Sequence, residues 1–448
     1  MAMRLRLNIG FDKNPAISGA ESDLVRNIAR QAGFYLALGS AASILLSIAV
    51  SQILLGLSLV TLLLAGERLL FPPLRLPLAV FFLITIAAAL ASGDPMSGLP
   101  QIKKFFVFAV VLVIYATFDA MRRVRALVCA WAVIASLSAV VAIAQFALRW
   151  REAVKQNSNT YDFFLWGRIT GLAHHWMTFG GEEMVVLLVL ASFLLFGAVP
   201  VFKGAGWPML VMLLAAVTLG MTRSVFLLGV PLGLGYLLWI RRRALLIAAA
   251  ACAIAGVAVS PRAIQERTLS AVRPRGEDSN AQRAVCRAVG WEMVKAHPWL
   301  GLGPEQVGKQ FNRYIPASAQ RPLPTGWYGH LHNIYLQYAA ERGVCGLMAI
   351  LWLIGRAALD FSRHLRRAAP SREVSAMLHG AIAVILAVLA QGFFEYNLGD
   401  SEVLTLFLST IACGYVAIRT AGAAEAFPAP AAAANVTGDA LCGSRAIS

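Results

Sequence analysis

The sequence predicts an all-α polytopic membrane protein, with about twelve transmembrane helices and one long, partly helical loop on the outer side. Three observations predict it. Of 448 residues, 58% are hydrophobic and 14% charged, whereas soluble domains carry roughly 25% charged residues. The mean hydropathy is +0.68. Apolar runs of 14 to 22 residues recur along most of the chain, and a hydrocarbon core takes roughly 17 to 25 helical residues to cross. The apolar-polar alternation of a membrane barrel is absent, which leaves helices.

In chain order, residues 1–32 are basic and polar, with no short apolar core or cleavage site, and read as a retained cytoplasmic segment. The apolar segments then run 34–50, 53–66, 78–91, 105–118, 126–147, 184–199, 208–221, 225–240 and 244–259, which places nine helices in 33–259. Residues 260–332 form the outer loop, and 343–359, 374–394 and 403–418 supply three more helices in 333–420. The first pair is divided at Ser51 and Gln52, because 34–66 as one helix is about 50 Å long, well beyond the core. The Ala/Pro-rich tail 421–448 has little to bury and is expected to stay disordered on the cytoplasmic side.

Charge sets the orientation. With the amino terminus inside, short loops and tails hold 21 Lys/Arg on the inner side against 8 outside, Lys103 and Lys104 being the local exception. The net charge of +16 is therefore largely an orientation signal, and no nucleic-acid partner is expected. His174, His175, His297, His330 and His332 all fall outside, with Arg223 and the stretch Glu395 to Glu402. Chemistry that faces outward has no easy access to ATP or nucleotide sugars, and no Walker-type loop is present. Six cysteines without CxxC spacing argue against a disulfide framework or zinc site.

In the outer loop, "SNAQRAVCRAVGWEMVKAHP" opens with Ser279 and Gln282 at capping-box spacing and places Val285, Val289 and Met293 on one face, which predicts an amphipathic helix on the bilayer surface. A second short helix is expected over 304–314.

The polar residues keep two readings each. Arg223 interrupts an apolar stretch, either as an interfacial snorkelling arginine or as an anion ligand at membrane depth. Arg283 and Arg287 are either a solvated or headgroup face, or part of a diphosphate clamp, since guanidinium forks pair with phosphate oxygens. His330 and His332 fit a metal site with His174 and His175, a structural bond at a helix entry, or proton transfer. The metal reading is disfavoured because no carboxylate stands at metal-site spacing in the sequence. Glu395, Tyr396, Asn397 and Asp400 stand outside the membrane before the last helix, where anchoring a helix end is their plain reading.

"HLHNIYLQYAAERGVCGL" resembles the His-Asn-x-x-Leu and Glu-x-Gly-x-x-Gly-Leu signature of the bacterial O-antigen ligase and O-antigen polymerase superfamily. "RAVGWEMVKAHPWLGLGPEQVGKQF" is similar to its arginine, tryptophan and Pro-x-x-Gly-x-Gly pattern, and "GRITGLAHHWMTFGG" and "GFFEYNLGDSEV" resemble further stretches of its members. The resemblance covers about residues 30–420. It implies a C-type membrane glycosyltransferase of the bacterial inner membrane, with both termini cytoplasmic and a periplasmic active site. It also implies an undecaprenyl-diphosphate glycan as donor and a glycan, lipid A core or other hydroxyl as acceptor, in a setting of membrane lipids. Carried over by position, it makes His332 the catalytic histidine and Arg223 with Arg283 the diphosphate ligands. Arg168, His174, Arg287, His330, Glu395, Asn397 and Asp400 are further candidate substrate contacts. No metal ligand and no cofactor are expected. Ligase and polymerase share the motif; a lipid-linked sugar transporter is the rival from another class, disfavoured because polar residues gather on one side rather than at mid-membrane.

Overall fold

A computed structural model describes residues 19–66, 70–198, 204–271, 279–319, 321–367 and 370–426, and among these the regular structure is helical throughout. Seventeen α-helices follow in order: α1 Gly19–Ser43, α2 Ile48–Leu64, α3 Arg75–Ala91, α4 Leu99–Lys103, α5 Phe105–Thr117, α6 Met121–Lys155, α7 Thr160–Trp166, α8 Trp176–Leu195, α9 Gly206–Leu219, α10 Val230–Arg241, α11 Arg243–Val259, α12 Arg262–Leu269, α13 Ser279–Ala296, α14 Gln306–Gln310, α15 Ile334–Arg367, α16 Arg372–Gln391 and α17 Ser401–Ala426. A π-helical turn, Ser224–Gly229, leads into α10.

Each of the twelve predicted apolar segments overlaps a helix. Among the described residues, seven helices are long and apolar enough to cross a membrane, eight if α11 and α12, bent by 118°, make one span; α2, α3 and α9 are apolar but shorter. At the bundle centre is α8, where every residue from Thr178 to Phe193 is buried. It packs against α16 and α17, themselves mostly buried. By contrast α11 buries none of its residues and lies at the periphery, which is where an all-apolar helix meets lipid.

Three sequence expectations need correction. The break after the first helix falls at 44–47, not at Ser51: Ser47 caps α2, while Ser51 and Ser40 each donate from the hydroxyl to the other's carbonyl, at 2.8 and 2.9 Å. Ser51 is thus part of the α1–α2 interface. The predicted segment 184–199 starts eight residues too late: α8 begins at Trp176 and buries Glu182 and Glu183 within it. The helix α13 forms where expected, but its apolar face meets protein instead of lipid. Val285, Cys286, Val289 and Met293 share a small core with Leu302, Val307, Phe311, Leu331 and Ala340. The Gln282 amide donates to the Trp327 carbonyl. The expected second helix appears as α14 and the 3-10 turn Phe311–Tyr314. The last helix continues to Ala426, and residues 1–18 and 427–448 of the predicted tails lie outside the described residues.

The two ends of the bundle differ in character. At one end Arg125 pairs with Glu373 at 2.6 Å and Arg419 donates to the Tyr115 and Phe118 carbonyls, tying the starts of α6 and α16 to the close of α5 and to α17. At the other end meet the starts of α8, α15 and α17 and the close of α16, and the site lies there.

Candidate active site

The quoted signature is first of all a piece of architecture. Asn333 accepts from Leu336 N at 2.9 Å through its side-chain oxygen and so caps α15, while its amide donates to the Phe393 carbonyl at 3.0 Å. Ile334 N donates to Gly392 O at 2.8 Å. One asparagine therefore starts the helix and staples it to the loop that carries Glu395. Gln337 supports the approach to it, accepting from Leu331 N at 2.8 Å.

Nine residues on, α15 breaks. Gly343 sits at φ 66°, ψ −180°, a conformation that a side chain resists. A Cβ there would stand 1.9 Å from the Trp299 carbonyl oxygen. The freed backbone groups are taken up by the Pro-x-x-Gly-x-Gly loop: Val344 N donates to Pro298 O at 2.8 Å, Leu302 N to Ala340 O at 2.8 Å, and Gly303 N to Glu341 O at 3.0 Å. The two motifs interlock through main chain, as buried backbone groups require. Glu341 and Arg342, both buried, pair at 2.6 Å, and Arg342 reaches Thr85 and Gln101 on α3 and α4.

This frame holds His332 with φ at 49°, a left-handed conformation uncommon for a non-glycine residue and often kept where function demands it. Its Nδ1 lies 3.3 Å from Glu395 Oε1, and both side chains are buried. Glu395 Oε1 also accepts from Tyr396 N at 3.2 Å, and its Oε2 is 3.4 Å from a guanidinium nitrogen of Arg283. Burial alone would raise the Glu395 carboxyl, yet His332 and then Arg283 overcome it and hold it down to about 2. An ionised carboxylate only accepts, so Nδ1 carries the proton and a neutral His332 keeps its lone pair on Nε2. That Nε2 is buried and has no partner among the described residues.

Beyond Glu395 lie the arginines. Arg223, 8% exposed, caps the π-turn and donates to Ser270 (2.8 Å to the carbonyl, 2.9 Å to Oγ), Ser279 Oγ (2.8 Å) and Asn280 Oδ1 (2.8 Å). Ser279 also accepts from Arg283 at 3.3 Å, so the two arginines converge from α13 and the α9–α10 hairpin on one hydroxyl. Arg168 completes the group. Burial, then the charges of Arg267, Arg283 and Arg223, push its guanidinium well below its ordinary value. A guanidinium stays protonated all the same, so the shift reports concentrated positive potential. The Nε atoms of Arg168 and Arg283 are buried without a hydrogen-bond partner among the described residues.

The remaining candidates divide. His330 donates nothing to His332 but accepts its N–H at 3.1 Å, with ring centroids 4.1 Å apart. Asp400 accepts from Thr178 and borders, with His330 and Glu395, a cavity of about 350 Å³. Asn397 also borders it, although its amide turns inward to Val388 O and Gln391. Arg287 is exposed on α13 and His174 is exposed before α8, beside Glu182 and Glu402; neither joins His332. The sequence shows no carboxylate at metal-site spacing, but folding brings one from a distant position. His330, His332 and Glu395 bring their ligand atoms within 4.8 Å of one another, a grouping able to hold a metal ion. Sequence reasoning also missed Arg267, Gln101, Glu305 and Lys104; only Lys104 carried a signal, as a lysine on the wrong side of the charge asymmetry.

Fold and site together define a helical membrane protein whose polar chemistry gathers at one end of the bundle around a His–Glu–Arg contact. The family model described as O-antigen ligase matches residues 208–351, roughly a third of the chain, and upholds the resemblance to the O-antigen ligase and polymerase superfamily. The matched stretch holds Arg223, Arg283, His330 and His332, while Arg168 and Glu395 lie outside it. That family acts on lipid-linked glycans and polysaccharide acceptors. No curated protein matches the chain.

Proposed function

We propose that this protein is an inverting glycosyltransferase of the O-antigen ligase type, in the bacterial inner membrane, with twelve crossings and its site on the periplasmic side. The donor is a glycan on undecaprenyl diphosphate and the acceptor a hydroxyl of a glycan, the lipid A core or another molecule. The observation that carries the reading is the His332–Glu395–Arg283 chain, which links an imidazole whose Nε2 has no partner among the described residues to the arginine cluster.

In the reaction, His332 Nε2 takes the proton of the acceptor hydroxyl as its oxygen attacks the anomeric carbon. The bond from that carbon to the phosphate oxygen breaks, and the lipid diphosphate leaves with the electron pair. Attack and departure on opposite faces invert the centre. Glu395 fixes the tautomer and steadies the imidazolium that forms. Arg223 and Arg283, with Arg168 beside them, meet the charge that develops on the leaving group, an electrostatic contribution that is large where water is excluded. No step needs a metal.

The resemblance does not separate a ligase from a polymerase of the same superfamily. Glycan profiling of a deletion strain separates the two. Long lipid-linked chains left unattached support the ligase, single repeat units support the polymerase, and an unchanged profile contradicts both.

A further inference from the structure

The cavity of about 350 Å³ beside the site is not the arginine cluster: none of Arg168, Arg223, Arg267 and Arg283 lines it. Its size lies within the roughly 300 to 1,000 Å³ of small-ligand pockets. His330 and Glu395 form one wall, and the His330 ring stands 4.1 Å from that of His332, so a single ring separates the cavity from the proposed base. The remaining walls carry the carboxylates of Glu305, Glu341 and Asp400, the amides of Gln101 and Gln337, and Lys104, which donates to the Gly399 carbonyl. At the rim is Trp327, 63% exposed, its ring edge-on to His330 at 4.7 Å.

Glu341 is paired with Arg342 and Glu395 with Arg283, and the remaining Glu305 and Asp400 against Lys104 leave the lining net negative, which disfavours a phosphorylated occupant because like charges facing each other across an interface cost affinity. An acyl chain is equally out of place among so many hydrogen-bonding groups. Carboxylates and amides that accept or donate to hydroxyls, with an exposed indole on which the apolar face of a pyranose can rest, suit a sugar.

Resting on the glycosyl-transfer reading above, we infer that this cavity is the acceptor subsite, and that it takes a non-phosphorylated glycan end, a neutral or amino sugar, with the receiving hydroxyl turned towards His330 and His332. Glu395 is then the shared wall between two compartments of opposite character, the arginines receiving the lipid diphosphate on one side and the acceptor entering on the other. Trp327, Glu305 and Gln101 bind the acceptor and take no part in donor recognition.

The test uses the purified full-length protein in detergent, lipid-linked glycan extracted from producing cells as donor, and the acceptor fraction of a deletion strain, with and without phosphatase treatment. Trp327→Ala removes an exposed ring, and Glu305→Gln keeps shape while removing charge. Each is expected to raise the acceptor KM about tenfold with kcat little changed, the pattern of lost acceptor binding. Acceptor-independent hydrolysis of the donor is expected to stay at the wild-type rate, and phosphatase treatment to leave transfer intact. Unmoved acceptor KM in both variants, a parallel loss of donor hydrolysis, or transfer that disappears with the acceptor's phosphates would each overturn the inference alone. A wild-type protein that transfers nothing to any fraction overturns the underlying reading and this one with it.

Discussion

The Nδ1 atom of His332 lies 3.3 Å from Oε1 of Glu395, although 63 positions separate the two residues in the chain. The contact exists because Asn333 staples the start of α15 to the loop that follows α16. On the proposed mechanism it gives Glu395 a definite task, to hold the imidazole with Nε2 free to accept a proton. Glu395→Gln keeps the shape but removes the charge that selects this tautomer. Turnover is expected to fall about 10² to 10⁴-fold, the range for loss of effective general-base catalysis. Donor binding should change little. A Gln variant that retains near-normal kcat reduces Glu395 to a structural role.

Arg223 and Arg283 are expected to tolerate lysine poorly, for two different reasons. At Arg283, lysine keeps the charge beside Glu395 but loses the fork that can grip a phosphate, so kcat/KM should drop about 10²-fold with folding unaffected. Arg223 in addition joins Ser270 to Ser279 and Asn280. Its lysine variant should lose both activity and thermal stability. Normal turnover at sub-saturating donor in both variants, with the proteins folded, would reduce these arginines to orientation or headgroup residues.

Gly343→Ala is a test of the interlock between the two sequence motifs. The new Cβ would collide with the Trp299 carbonyl at a positive φ, and a loss of about 2 kcal/mol or more is expected. Gly355→Ala on the same helix meets nothing within 4 Å and serves as the control. Size-exclusion profiles and unfolding midpoints in detergent should separate the two; equal midpoints would show that the break in α15 is not fixed by Gly343.

Acid stability should report on His330. Burial, then the neighbouring His332, pushes its imidazole down to about 4, whereas an unfolded histidine titrates near about 6.5. Between those values the unfolded chain binds more protons, so stability rises with pH. The His330 contribution is therefore full above about 6.5 and is lost as pH falls towards 4. The corresponding window for Glu395 lies lower, between its unfolded value of about 4.3 and its folded value of about 2. Unfolding midpoints measured from pH 7 to 4.5 should decline for the wild type and decline less for His330→Gln. Parallel declines would show that His330 carries no such term.

Much of this was legible in the chain, and the rest was hidden for identifiable reasons. Apolar length announced the long membrane-type helices, because burial in lipid or in a helical core leaves a run that composition alone reveals, whereas the short α4, α7 and α12 carry no such run. The boundaries failed where short polar residues served packing: Ser51 reads as a turn but bonds across the α1–α2 hairpin. Glu182 and Glu183 precede the apolar run yet are buried in α8, Glu182 beside the turn at 44–48 and Glu402, a meeting of distant segments that no local pattern encodes. Glu395 was legible as an outer polar residue but not as the partner of His332, since that pairing depends on which helix ends meet. The same blindness hid the His330, His332 and Glu395 grouping and left Lys104 as an unexplained exception to the charge asymmetry.

The central claim is transfer by an imidazole base and an arginine-held leaving group without a metal ion. Purified protein in detergent, given lipid-linked donor and acceptor with excess EDTA and then with added magnesium or manganese, measures it most directly when wild type and His332→Ala are run side by side. The account predicts that wild-type transfer is indifferent to chelator and to added metal, and that His332→Ala still binds donor while transfer falls at least about 10²-fold. Wild-type activity that vanishes with EDTA and returns with metal would contradict it and make His330, His332 and Glu395 the ligands of a catalytic ion.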